Sequence, residues 1–266
     1  MIARVHLYAG LLTLVNLALY GVVGIASLAE GRVAPTPVVR EQPFAVPAGE
    51  GDRAVAERVV QLLGLSLATP VHDFAIKRDR AGVLVLDFYH ANGRHKVTVL
   101  DGRLHIERTR ASLWKYLSTL HVTTAAFKSG DWRMQAWAWW NEFAMWCVAA
   151  MMVSGVCVWW QRRGTRGGVR QVHRWVGLVS LAAIAIYEMS AIAMAHRTRL
   201  HAEALNRIHR MRGSGLSAAL GVALLVMAGT GLMMWWRMPR ERREGVAVVG
   251  LGAILACGLM IWMRMG

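Results

Sequence analysis

Residues 213–236 read GSGLSAALGVALLVMAGTGLMMWW, a run without a charged residue that closes on paired tryptophans. At about 1.5 Å of rise per residue a helix of this length covers about 36 Å, enough to cross a hydrocarbon core of about 30 Å. Four more runs support the same reading: Leu7 to Ala29, Phe143 to Trp160, Trp175 to Ala195 and Gly245 to Met263. Glu188 is the one formal charge in all five. Tryptophans gather at the margins, at Trp137, Trp139 and Trp140, at Trp159 and Trp160, at Trp175, at Trp235 and Trp236, and at Trp262, as expected of an interfacial belt. With 55% hydrophobic residues and a mean hydropathy of +0.35, the chain reads as a mainly α, polytopic membrane bundle of about five transmembrane helices.

The first run, preceded by Arg4 and holding Ser27-Leu28-Ala29, has the marks of a cleavable signal, but it exceeds the roughly 7–15 apolar residues of a signal core and is read as a retained helix. Arginine near helix ends sets orientation. An N-terminus in the cytoplasm places Arg4, the set Arg162, Arg163, Arg166, Arg170 and Arg174, and the set Arg237, Arg240, Arg242 and Arg243 inside. Arg197, Arg199, Arg207, Arg210, Arg212 and Arg264 oppose it, and the larger group favours N-inside in a bacterial inner membrane. The net charge of +15 is then mostly juxtamembrane, drawn to anionic lipid heads, and no basic stripe with interleaved aromatics indicates a nucleic-acid partner. Cys147, Cys157 and Cys257 all lie in apolar runs, where sulfur packs as a small hydrophobe rather than in a disulfide framework.

Three domains follow: 1–30 as the first transmembrane helix, 31–132 as an extracytoplasmic region, and 133–266 as helices two to five. The middle region opens on Pro35, Pro37, Pro43 and Pro47, a density that suggests an extended tether. Val55, Val59, Leu62 and Leu63 follow a helical period behind Asp52 as cap, so Asp52 to Leu65 is a predicted helix. The period then changes to two, predicting strands at Asp73–Arg78, Val83–Tyr89, His95–Leu100 and Leu104–Arg108, with hairpin turns at Asn92-Gly93 and Asp101-Gly102. One helix against a small antiparallel sheet is the expected result. His72, His90, His95 and His105 fall in this region and are read as ordinary surface histidines, with metal binding by those that share a sheet face as the alternative.

Three apolar runs open on a histidine followed four residues later by glycine: His6 and Gly10, His173 and Gly177, His209 and Gly213. Ten histidines and 26 glycines in 266 residues give about one such pair by chance. The spacing puts glycine one turn along on the same helical face. A flat macrocycle can lie against bare backbone there while the imidazole reaches its iron. Singly, each pair is explained as well by the tolerance of membrane helices for small residues, and the trio is what favours haem. Under N-inside topology His6 and His173 start helices on the cytoplasmic side and are the expected axial pair of one haem. On the outer side His209 and His121 are the candidate second pair, with His196 and His201 as alternatives. An internal echo, Gly155-Val-Cys-Val-Trp159-Trp160 against Gly231-Leu-Met-Met-Trp235-Trp236, makes the second and fourth runs parallel.

A helix followed by strands with Asn-Gly and Asp-Gly turns after a first membrane helix resembles a PepSY domain. Downstream stand Leu120-His121, Ser154-Gly155 to Trp159-Trp160 with Arg162-Arg163, and Arg170-Gln171-Val172-His173-Arg174-Trp175-Val176-Gly177. On these blocks the chain resembles the PepSY-associated transmembrane family over nearly all its length, with a shorter soluble region than larger members. The resemblance implies a small α+β PepSY-like periplasmic domain between helices one and two, and a haem-containing inner-membrane reductase acting on ferric siderophores. It carries His6, His121, His173 and His209 over as ligands of one or two haems b.

Glu188, deep in an apolar run, is a candidate proton acceptor or arginine partner, and Glu142 is read as interfacial. Gly164-Thr-Arg-Gly167-Gly168 lacks the order and the preceding strand of a dinucleotide fingerprint, so the expected electron donor is a quinol or a separate cytoplasmic reductase. No Ser-His-Asp order or His-Glu-x-x-His motif supports hydrolysis. Two other functions stay open: a membrane-anchored PepSY protein that binds a peptide, peptidase or envelope partner with structural histidines, and, more weakly, a transporter built on the repeated helices.

Overall fold

The computed structural model describes residues 1–26, 36–65, 67, 71, 73–123, 131–161, 168–195 and 215–265. They fall into two compact units, within the ranges Met1–Glu30, Thr124–Ala126 and Trp137–Ile261 for one and Gly31–Thr123, Phe127–Ala136 and Trp262–Gly266 for the other.

The first unit is helical. Its elements are α1 (Ile2–Leu12), α2 (Leu14–Ala26), most of α5 (Trp132–Gln161), α6 (Gly168–Ala195), α7 (Gly215–Trp236) and most of α8 (Arg242–Met265). Trp132–Gln161, Ala218–Trp236 and Arg242–Arg264 are long and apolar enough to cross a membrane, and α1 with α2 adds a fourth if the bent pair is one span. The expected span Trp175 to Ala195 lies on α6, whose side chains from 187 onward, Glu188 included, are outside the described residues.

The first apolar run is not one straight rod. It bends by 62° between α1 and α2. Proline is absent here, and the break falls at Thr13, which is fully buried and whose hydroxyl donates to the Ala9 carbonyl at 2.7 Å. A hydroxyl bonding back one turn competes with the backbone ladder and bends helices. Below the bend α2 crosses α7 at bare backbone: a Cβ on Gly221 would lie 2.5 Å from the Gly21 carbonyl oxygen. Leu17, Val148 and Ile184 form the buried apolar centre, packed by Met151, Leu220, Leu224 and Met227. Beside it lies a polar cluster that hydropathy gave no reason to expect. Asn16 and Asn141 are both fully buried; the Trp140 indole donates to Asn16 Oδ1 at 2.9 Å, and the Tyr20 hydroxyl to Asn141 Oδ1 at 2.7 Å. In an apolar medium such groups must find partners, and here they tie α2 to α5.

The second unit holds a five-stranded antiparallel sheet in the order β1-β5-β4-β3-β2, from β1 (Val38–Pro43), β2 (Ile76–Arg78), β3 (Leu84–His90), β4 (Gly93–Leu100) and β5 (Arg103–Arg110). Alternation sends Leu84, Leu86, Phe88, Val97, Leu104 and Ile106 to one face, where Val55, Ala56 and Val59 of α3 (Asp52–Leu62) complete the core. Charged residues pair on the other face, Arg94 with Asp87 and Lys96 with Glu107.

Several local expectations are corrected. The tether expected from Pro35 to Pro47 contains β1, paired with β5 from Val38↔Arg108 to Pro43↔Arg103; proline is tolerated there because β1 is an edge strand. Asp52 is not the cap: Gly51 holds that place, and Asp52 in the first turn binds Arg78 at 2.6 Å. Leu62, expected in the core, is exposed. Asp73–Ala75 is a 3-10 turn, leaving β2 only three residues. The Asp101-Gly102 turn forms as expected, with φ of 50° and 73°. The preceding hairpin turns on Ala91-Asn92 instead, because His90 pairs with Gly93 and the Asn92 amide donates to the Met263 carbonyl at 2.7 Å. α4 (Leu113–Val122) is an addition, capped by Ser112, whose hydroxyl accepts from the Lys115 amide at 3.1 Å.

On the core face of this sheet His90 Nε2 meets His95 Nδ1 at 2.9 Å. Burial pushes both imidazoles down to about 4, helped for His95 by the Arg108 charge and for His90 by His95 and then Arg108. The unfolded chain therefore takes up protons first as pH falls. Stability contributed by the neutral rings is complete above about pH 6.5 and is lost between there and about pH 4, by about 2 kcal/mol per ring at pH 5. Hydrogen exchange of the β3 and β4 amides in the full chain, corrected for intrinsic rates, is expected to quicken from pH 7 to pH 5, and His95→Gln to flatten that dependence.

Candidate functional site

Two of the predicted ligands meet inside the helical unit. His6 of α1 and His173 of α6 are neighbours, ring centres 6.3 Å apart and planes at 90°. What lies behind each ring decides its chemistry. His6 Nδ1 is 3.0 Å from the Met151 carbonyl oxygen and 3.2 Å from Ser154 Oγ. The Ser154 hydroxyl spends its own proton on the Ala150 carbonyl at 2.6 Å. With one proton per hydroxyl, Ser154 can only accept from the ring, so His6 Nδ1 carries the hydrogen. His173 repeats the arrangement: Nδ1 lies 2.8 Å from Thr230 Oγ1, and that hydroxyl donates to the Val226 carbonyl at 2.6 Å. Each Nε2 is left with its lone pair, the form of imidazole that binds metal.

The separation suits a shared metal. With both Nε2 atoms turned to the metal, two metal–nitrogen bonds of about 2 Å and about 1 Å from each nitrogen to its ring centre sum to about 6 Å. Glycine supplies the room behind each ring. A Cβ on Gly155 would come within 3.1 Å of His6 Cε1, and one on Gly231 within 3.6 Å of His173 Cε1.

The pattern is duplicated. His6 and Gly10 on α1 work with Met151, Ser154 and Gly155 on α5; His173 and Gly177 on α6 work with Met227, Thr230 and Gly231 on α7. Gly10 lies against Met151, 3.1 Å from its sulfur to an added Cβ, and Gly177 against Met227, 3.5 Å from its methyl. These two glycines therefore seat a methionine where the sequence reading expected a macrocycle. Both partner helices spell Met-x-x-Ser/Thr-Gly-x-x-x-Trp-Trp. The Gly-to-Trp-Trp echo was legible in the sequence; the hydroxyl and methionine that precede it were missed, although they stand at matching positions in the repeat.

No family model, curated protein or solved structure matches this chain. The assignment of the site accordingly stands on its geometry and on the pattern in the sequence.

Of the outer candidates the structure describes only His121. His121 lies half-buried on α4, in the sheet unit. His209, Gly213, His196, His201 and His72 lie outside the described residues. In the sheet, His90 and His95 share a face while His105 points to the other, 3.6 Å from Glu41. No group of three or more His, Cys, Asp or Glu converges among the described residues. Cys147 and Cys157 on α5 and Cys257 on α8 are free, and Glu142 is half-buried on α5.

Removing the acceptor behind a metal-bound imidazole typically lowers metal affinity about 10–100-fold. On a haem reading of the pair, Thr230→Val, which keeps the shape and loses the oxygen, is expected to weaken haem retention by that order and to raise the midpoint potential, because the ring loses the acceptor that makes it electron-rich. Ser154→Ala is expected to do less, since the Met151 carbonyl remains. Haem titration and redox potentiometry of the two variants check this.

Proposed function

We propose that this chain is a b-type haem protein of the bacterial inner membrane that passes electrons outward, to ferric iron held by a siderophore-type chelator. The observation that supports it most directly is the opposed pair His6 and His173, each held as its Nδ1–H tautomer, at a spacing that one metal ion spans.

In this reading His6 and His173 hold one haem b. That group supplies one-electron redox chemistry, with a potential set by its axial ligands and its burial. The chain's own part is to present two neutral imidazoles from different helices, to fix their orientation through Ser154 and Thr230, and to pack Met151 and Met227 against Gly10 and Gly177 beside them. The five apolar runs are taken as five spans, with the N-terminus cytoplasmic and a PepSY-like sheet unit periplasmic. His6 and His173 then sit toward the cytoplasmic face. A second haem toward the outer face, with ligands from His209, His121, His196 and His201, completes a path across the bilayer.

The test is optical. Protein purified in detergent from cells supplied with haem, recorded oxidised and then dithionite-reduced, is expected to show a Soret band and a sharpened α band, with one or two haems per chain by pyridine haemochrome. Colourless protein would defeat the redox reading and leave the tethered binding protein in its place.

A further inference from the structure

α4 carries two apolar stripes, and the fold buries only one of them. Tyr116 and Leu120, four residues apart, are buried within the sheet unit. Leu117 stands four residues after Leu113 and three after Trp114, so these three share a second stripe, on which Leu113 is 55% and Trp114 52% exposed. Lys115 and Thr119, also four apart, hold the side opposite that stripe. A helix with water on every free side would carry polar residues where Leu113, Trp114 and Leu117 stand.

The surroundings of α4 indicate what meets the stripe. Arg264, in the last turn of α8, donates through Nη2 to the Ala111 carbonyl at 3.4 Å, and its guanidinium lies 4.8 Å from the centre of the Tyr116 ring. These two contacts bracket Leu113 and Trp114 in sequence and tie the first turn of α4 to the end of a span-length helix. Two residues before Arg264, about 3 Å along the helix axis, Trp262 meets Trp132, the first residue of α5, with ring centres 4.6 Å apart. Both indoles are exposed, and tryptophan at the ends of spans belongs to the headgroup layer. All of these residues lie in the sheet unit.

We propose that α4 is an interfacial helix, whose Leu113, Trp114 and Leu117 enter the headgroup boundary of the bilayer that α5 and α8 cross. The proposal rests on those two helices being spans and is independent of haem. Charge favours lipid over a protein partner. α4 contains no Asp or Glu, and Arg110 and Lys115 are exposed before and within its first turn. Basic side chains beside an apolar stripe lay their stems on apolar surface and reach anionic lipid phosphates with their heads.

Spin labelling of the full chain tests this. Cys147, Cys157 and Cys257 are replaced by alanine, single cysteines are placed along α4, and each labelled chain is set alone in a nanodisc of phosphatidylcholine and phosphatidylglycerol. The readout is the collision rate with oxygen, which concentrates in lipid, relative to that with a water-soluble nickel chelate. For an interfacial helix seated about 5–10 Å deep, this ratio is expected to be about tenfold higher at Leu113→Cys, Trp114→Cys and Leu117→Cys than at Lys115→Cys and Thr119→Cys. Ratios that do not differ between the two sides overturn the proposal. So do labels on the stripe that are screened from both reagents, the mark of a protein cover. Ile254→Cys, at an exposed position on α8, tests the premise separately. A lipid-like ratio there with a water-like stripe keeps the span and removes the interfacial helix; a water-like ratio there removes both.

Discussion

Under the proposed haem function, alanine at His6 is expected to empty the same haem that alanine at His173 empties, so that the two single variants and the double variant lose equal amounts. The reason is geometric: the ring centres stand 6.3 Å apart, and in the proposed site both imidazoles serve one metal position. Haem-to-protein ratio by pyridine haemochrome is the measurement. If the chain holds two haems, all three variants retain about half; if it holds one, all three are colourless. Losses that add in the double variant would show that the rings serve different sites. Each substitution also removes interhelix hydrogen bonding, from His6 to Met151 and Ser154 or from His173 to Thr230, so a lower melting midpoint is expected alongside the lost ligand. Thermal melting in detergent without haem, compared between variant and wild type, separates lost ligation from lost structure.

Valine at Gly221 is expected to damage the helical unit more than any single ligand change. Its first side-chain carbon would fall 2.5 Å from the Gly21 carbonyl oxygen and 3.1 Å from the Ile25 nitrogen. Both are backbone atoms, so no rotamer change relieves the overlap and α2 must part from α7. Forced overpacking typically costs about 1–3 kcal/mol where side chains can adjust, and more where backbone must move. Small residues at such crossings are what let membrane helices gain their packing energy. The expected readout is a large drop in the melting midpoint and loss of haem together. Gly258→Val is the control, since nothing lies within 4 Å of the carbon it would add, and its midpoint should stay near wild type.

Much of the helical unit was legible as hydropathy. α5, α7 and α8 lie where uncharged runs place them, because a long apolar run leaves helix as the cheapest way to satisfy its backbone in lipid. The bend at Thr13 was not legible, since it depends on one buried hydroxyl turning to its own helix. In the sheet unit, periodicity located β3, β4 and β5, while β1 hid under prolines that an edge strand accepts. His6 and His173 were found by a repeated spacing. Ser154 and Thr230 were not, although they hold matching places in the repeat, because the role of a hydroxyl in an apolar helix shows only when a ring is seen against it.

The order of residues by itself determined that this is a helix-rich chain, with helices long and apolar enough to cross a membrane and a small antiparallel sheet, and that imidazoles open its apolar runs. Both are local properties, set by hydropathy and period along a few turns. Only the tertiary structure decided which histidines face one another, which nitrogen of each holds the proton, and which glycines stand behind the rings. Those depend on side chains from helices more than a hundred residues apart in sequence, such as His6 and Ser154, brought within hydrogen-bond reach by packing that no single helix encodes.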